Sequence, residues 1–91
     1  MGDMGLGYGQ LAPTEATAIR SLEEVVGVQA IPVWDSTCER AQVLRPVWEL
    51  PTLLLVAELL TASEVSLARV AGRSIVIRIV SYNALNAGGL L

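Results

Sequence analysis

The sequence predicts an α+β fold in which one N-terminal helix packs on a small antiparallel sheet of four or five strands. Three observations lead to this prediction. An amphipathic stripe near the N-terminus predicts the helix, a β-branched run near the C-terminus predicts the central strand, and both chain ends have the composition of extended arms. We divide the 91 residues into an arm at 1–12, one globular domain at 13–83 and a second arm at 84–91. A mainly-β barrel or sandwich is the alternative.

The first element is a helix predicted at about residues 14–26. Thr14 is a suitable N-cap, and Glu15 follows it in the first turn, where the helix dipole favours an acidic group. Apolar residues then recur at spacings of three and four, namely Ala16, Ile19, Leu22 and Val26. Gly27 comes directly after this stripe and is a suitable residue to end the helix.

The central strand is predicted at residues 73–82, a stretch rich in β-branched side chains. Three isoleucines alternate with other residues there, so the two-residue period of a strand places them on one face. We assign that face to the core: Ile75, Ile77 and Ile79. Gly72 stands just before the strand and is the predicted turn residue that folds the preceding segment back against it.

The remaining strands are predicted from shorter apolar runs. Residues 28–34 form an edge strand, because Pro32 cannot donate a hydrogen bond to a neighbouring strand. Residues 42–45 are the return strand of a hairpin whose loop starts at Asp35, although a short helical turn over 36–43 competes with this loop. Two more strands cover 53–60 and 65–70. For 53–60 the leucine-rich composition favours a helix, which is the alternative to the strand, and periodicity alone does not decide between the two.

The composition indicates that part of the apolar surface meets another protein. Hydrophobic residues make up 53% of the chain and charged residues 16%, against about 25% charged residues in a typical domain. A small domain has a large surface for its volume and is expected to be more polar than average, not less. Side chains in the two arms and two tryptophans are the candidate interface residues: Leu6, Tyr8, Trp34, Trp48, Leu90 and Leu91. For the tryptophans, a place in the core is the competing interpretation.

The residues that usually carry enzyme chemistry are scarce. The sequence has no histidine and no lysine, and its single cysteine, Cys38, has no histidine to activate it. We therefore predict no catalytic residue, no cofactor and no metal site. The net charge of −3 and the scattered arginines also argue against nucleic acid as a partner.

The predicted function is that of a non-catalytic structural or assembly subunit, for example a small virion or shell component, that binds itself or a scaffold protein. No run of about 20 apolar residues predicts a membrane span, and no signal peptide is recognisable, so we expect a cytoplasmic location or a place inside an assembled particle. Two alternatives remain, a small adaptor or inhibitor that binds one protein partner, and a barrel that binds an apolar ligand.

Overall fold

The computed structural model describes residues 12–89, and all the regular secondary structure in this part of the chain is helical. It contains four α-helices, α1 (Glu15–Val26), α2 (Ala30–Arg40), α3 (Leu50–Leu60) and α4 (Ser66–Gly89), and a short 3-10 helix (Gly27–Gln29) between α1 and α2. No β-strand occurs within residues 12–89. The predicted α+β fold is therefore wrong, and so is the mainly-β alternative.

Helix α1 is the element whose limits the sequence located. The Thr14 hydroxyl accepts a hydrogen bond from the backbone N–H of Thr17, and the Thr17 hydroxyl accepts one from the N–H of Thr14. These reciprocal bonds satisfy N–H groups that a helix start leaves without partners. At the other end Gly27 has a φ of +62°, a conformation that a side chain disfavours, so the helix ends there.

Helix α2 replaces the predicted edge strand at 28–34 and the predicted hairpin loop after Asp35. Pro32 lies in its first turn, where backbone N–H groups have no partner inside the helix, so the missing proline N–H costs nothing. The predicted return strand at 42–45 lies instead in the loop 41–49. The helical alternative for 36–43 was thus nearer to the structure, although α2 is longer than one turn.

Helix α3 shows that the helical alternative for residues 53–60 is correct and the strand is wrong. Pro51 stands in the first turn of α3, as Pro32 does in α2. Four of its side chains are buried on the side that faces the core: Leu53, Val56, Ala57 and Leu60.

The last two predicted strands, 65–70 and 73–82, both lie in helix α4. Only Val65, which precedes the helix, is outside it. At 3.6 residues per turn, Ile75 and Ile79 lie on one side of the helix and Ile77 lies on the other. Ile75 and Ile79 are buried, whereas Ile77 is 63% exposed. The assignment of Ile77 to the core is therefore wrong.

Gly72 lies inside α4 and is not a turn residue. A Cβ atom at this position would stand 2.8 Å from the Cβ of Leu60 and 2.9 Å from the backbone nitrogen of Thr61. Because glycine has no Cβ atom, the backbone of α4 at this position lies directly against the C-terminal end of α3.

The core is formed by one side of every α-helix. Its largest fully buried side chains come from all four of them and include Leu22, Trp34, Leu53, Leu60 and Ile79. Residues 84–89, predicted to belong to an extended C-terminal arm, continue α4 instead. The predicted N-terminal arm lies outside the described residues, except for Ala12.

Candidate protein-binding surface

Helix α4 carries exposed apolar side chains along the side opposite its buried residues, and two of them, Ile77 and Leu85, also border the start of α1. We call this side the α4 outer face. Its large apolar residues are about half exposed or more, namely Leu67, Val70, Ile77, Val80 and Leu85. A solvated helix normally shows polar residues on its outer side, so an outer face with five such residues is unusual for a helix in contact with water alone.

The net charge of α4 is positive, whereas the net charge of residues 12–65 is negative. Residues 66–89 contain three arginines, Arg69, Arg73 and Arg78, and no aspartate or glutamate. Residues 12–65 contain eight acidic residues and three arginines. Although α4 is 24 residues long, no helix among residues 12–89 is long and apolar enough to cross a membrane.

The loop between α2 and α3 carries a second apolar feature. We call residues 41–49 the Trp48 loop. Trp48 is 84% exposed and Leu44 is 90% exposed, although Val47, beside Trp48, is buried in the core. Burial of Val47 thus fixes the backbone beside Trp48, while the Trp48 side chain remains in solvent.

Glu15, the first residue of α1, holds this loop to the helices. Its Oε2 atom accepts hydrogen bonds from Nε1 of Trp34 at 2.9 Å, from Nε of Arg45 at 2.9 Å and from the backbone nitrogen of Val47 at 3.4 Å. The Glu15 side chain is only 12% exposed. Arg45 also places its Nη1 atom 3.6 Å from Oδ1 of Asp35 on α2, so one arginine joins α1, α2 and the loop.

The surroundings of Glu15 favour its ionised form. Burial alone raises the pKa of Glu15, but the hydrogen bonds from Arg45 and Trp34, together with the positive charge of Arg45, outweigh burial. The pKa therefore lies below its usual value of 4.5. The carboxylate stays charged at neutral pH and keeps all three donors.

An apolar groove lies between the start of α1 and the second half of α4. We call it the α1–α4 groove, and it is lined chiefly by Pro13, Thr17, Ile77, Arg78, Tyr82 and Leu85. Its volume is about 390 Å³. Pro13 and Thr17 stand on either side of Glu15, which holds the Trp48 loop, so the groove and the loop both adjoin the N-terminus of α1.

The candidate interface residues fall into three groups. Trp48 is exposed, as an interface residue must be, and Trp34 is fully buried in the core. The other four lie outside the described residues: Leu6, Tyr8, Leu90 and Leu91. Sequence analysis missed Leu44, which it placed in a strand, and Ile77, which it placed in the core. A helical period over residues 68–79 would have pointed to the exposed position of Ile77.

Cys38 is buried in α2, and burial is the main reason why its pKa rises to about 11. The thiol is therefore protonated at neutral pH and is a poor nucleophile. Among residues 12–89, no group of three or more acidic or cysteine side chains is arranged to hold a metal ion.

Comparison of the chain with models of protein families, with curated proteins and with solved structures gave no match. The function is accordingly inferred from the surface itself, that is, from the α4 outer face, the Trp48 loop and the α1–α4 groove.

Proposed function

We propose that this chain is a non-catalytic subunit of a larger protein assembly and that it acts through protein–protein contacts. The observation that carries the proposal is the α4 outer face, where five large apolar side chains are exposed on one helix. Several exposed large apolar side chains along one helix of a small domain are more than solvation requires and favour a surface that binds another protein. The partner is a second copy of the chain, a scaffold protein, or both.

Two features support a binding role over an enzymatic one. The sequence offers neither histidine nor lysine as a general base or covalent nucleophile, and the thiol of Cys38 is buried with a raised pKa. Of the eleven exposed large apolar side chains within residues 12–89, seven lie on α4 and in the Trp48 loop. A small virion or shell component remains an example of such a subunit.

The charge on α4 favours a second candidate, an adaptor or inhibitor that binds one different protein. If two copies paired through α4 alone, Arg73 and Arg78 of each helix would face a helix that carries arginines and no acidic residue. Like charges across an interface are unfavourable. A partner that covers the centre of the α4 outer face is therefore expected to be acidic, and so to differ from α4 itself.

Self-association of the purified chain tests the proposal. Analytical ultracentrifugation over a range of concentrations should show species heavier than the 9.7 kDa monomer. Replacing Val70 and Val80 together with serine, which removes apolar surface from the α4 outer face, should weaken this association.

The control is Val28→Ser, because Val28 is an exposed valine that lies outside α4, and at 90% it is more exposed than Val70 or Val80. It should leave self-association unchanged. A single species of 9.7 kDa at every concentration would contradict self-assembly and leave the adaptor as the better proposal.

A further inference from the structure

We propose that two copies of the chain bind each other about a two-fold axis, with Trp48 of each copy inserted into the α1–α4 groove of the other. This inference rests on the proposed function, since it names the partner and the contact through which the chain assembles. Four features of the structure support it, and each concerns a different property of the surface.

The first feature is the fixed position of Trp48. Two residues just before Trp48 hold the loop. The Arg45 side chain and the backbone N–H of Val47 both donate hydrogen bonds to Glu15. Trp48 itself remains 84% exposed. Because the backbone beside Trp48 is already held, little backbone freedom is lost on binding, and tryptophan is enriched among the residues that dominate binding energy.

The second feature is the fit between this side chain and the groove. The α1–α4 groove has apolar walls from Pro13, Ile77 and Leu85 and a volume of about 390 Å³. This is at the lower end of the range of about 300–1,000 Å³ for clefts that hold small molecules, and thus suits one aromatic side chain. Tyr82 also lines the groove and offers an aromatic ring for an indole to pack against.

The third feature is that the inserting side chain and the groove share one end of the molecule. Glu15 binds the Trp48 loop, and its near neighbours Pro13 and Thr17 line the groove. A two-fold interface uses the same patch on both copies, so this patch must contain both complementary parts. The end of the molecule around the N-terminus of α1 meets that requirement.

The fourth feature is charge. Glu49 follows Trp48 in the loop, and Arg78 follows Ile77 in the groove. Insertion of Trp48 therefore brings Glu49 of one copy towards Arg78 of the partner subunit, twice in the dimer. This arrangement pairs opposite charges, whereas pairing α4 with α4 opposes arginines.

The first experiment measures dimerisation of the full chain by analytical ultracentrifugation. The wild type should form a species of twice 9.7 kDa, and Trp48→Ala should raise the dimer Kd at least about thirtyfold, the effect of losing a dominant interface residue. Circular dichroism should be unchanged, because Trp48 makes little contact within its own chain. Val28→Ala, an equally exposed apolar truncation elsewhere, should leave the Kd unchanged.

The second experiment reverses the charges. Glu49→Arg and Arg78→Glu should each weaken the dimer, and the double variant should recover most of the wild-type affinity. Acrylamide quenching of the exposed tryptophan should also fall as wild-type concentration rises, while Trp34 stays shielded throughout.

The outcomes separate this inference from the proposed function. Dimers that persist unchanged in Trp48→Ala and show no recovery in the charge reversal would overturn the inference, while self-assembly through another surface would stand. A double variant, Leu6→Ser with Tyr8→Ser, tests the N-terminal segment. If it dissociates the dimer and Trp48→Ala does not, the N-terminal segment occupies the groove and the inference is wrong. A wild type that stays monomeric would overturn the inference and self-assembly together, and would leave binding to a different protein as the proposed function.

Discussion

Isoleucines only two residues apart on α4 differ in burial. Some lie on its inner face, which packs against α1 and α3, and one lies on its outer face. Ile75 and Ile79 are buried against α1 and α3, and Ile77 between them is mostly exposed. The Trp48 loop repeats this contrast, with Val47 buried and Trp48 exposed next to it. Burial, not residue type, therefore separates the apolar residues that stabilise the monomer from those that we propose contact a partner.

The difference between the two faces of α4 is tested most strongly by truncating a side chain on the inner face. Ile79→Ala should lower the free energy of unfolding by about 2–5 kcal/mol, because it removes a fully buried side chain and leaves a cavity. Urea denaturation followed by circular dichroism measures this loss. A loss below about 1 kcal/mol would show that the inner face is not the core of the domain.

The next largest effect is expected at Glu15, which fixes the position of the Trp48 loop. Glu15→Gln removes the charge that Arg45 and Trp34 bind and should cost about 1.5–3 kcal/mol at neutral pH, the range for a hydrogen bond to a charged group. The effect depends on pH. Because the pKa of folded Glu15 lies below 4.5, its stabilisation is complete above that pH and is lost as the pH falls through the folded value.

Denaturant melts of wild type and Glu15→Gln at several pH values give the check. The difference between the two proteins should be constant above about pH 6 and should shrink below pH 4.5. Glu23→Gln, on the exposed side of the same helix, is the control and should show a small difference throughout. A difference for Glu15→Gln that does not change with pH would mean that its charge is not what holds the loop.

Gly72→Ala probes the contact between α3 and α4 on the inner face. Alanine favours a helix by up to about 1 kcal/mol over glycine, but its Cβ would overlap the Cβ of Leu60 and the backbone of Thr61. The overlap should prevail and leave a net loss of about 1–2 kcal/mol, since overpacking typically costs about 1–3 kcal/mol and backbone atoms yield little. Asn83→Ala, at an exposed position of α4, should change stability by less than about 0.5 kcal/mol. A Gly72→Ala protein more stable than wild type would show that the two helices separate easily.

The smallest change in stability is expected on the outer face. Ile77→Ala should change the free energy of unfolding by less than about 0.5 kcal/mol, because the side chain already lies mostly in water. Its effect should appear instead as weaker self-association, measured by ultracentrifugation alongside the urea melts. Equal losses for Ile77→Ala and Ile79→Ala would remove the distinction between the two faces.

The sequence predicted α1 because its signals are local. Thr14, the apolar stripe and Gly27 each act within one helical turn, so no distant contact is needed to interpret them. The prediction failed for α4 because Ile75, Ile77 and Ile79 fit a strand while Ile75 and Ile79 alone fit a helix. Ala68, Ala71 and Gly72 extend the helical pattern backwards from Ile75, and including them favours the helix. The β preference of branched residues is weak, at most about 1 kcal/mol each, and burial against α1 and α3 outweighs it.

The candidate surface was only partly predictable for the same reason. Trp34 and Trp48 each have a proline within two residues in the sequence, yet one is fully buried and the other is exposed. What separates them is the carboxylate of Glu15, which binds the Trp34 indole and positions the backbone next to Trp48. Contacts between residues this far apart cannot be inferred from spacing or composition.

The hydrogen bonds of Glu15 also have a consequence for the order of folding. They join residues that are 19, 30 and 32 positions apart, whereas α3 and α4 are joined by the short connection 61–65. Closing a long loop costs entropy before any contact compensates for it, so short-range contacts form sooner. The α3–α4 hairpin is therefore expected to form early, and the loop that presents Trp48 is expected to close last. In this order of folding the last step buries Val47 and fixes the backbone beside Trp48, so the proposed binding residue takes its final place only when the core is complete.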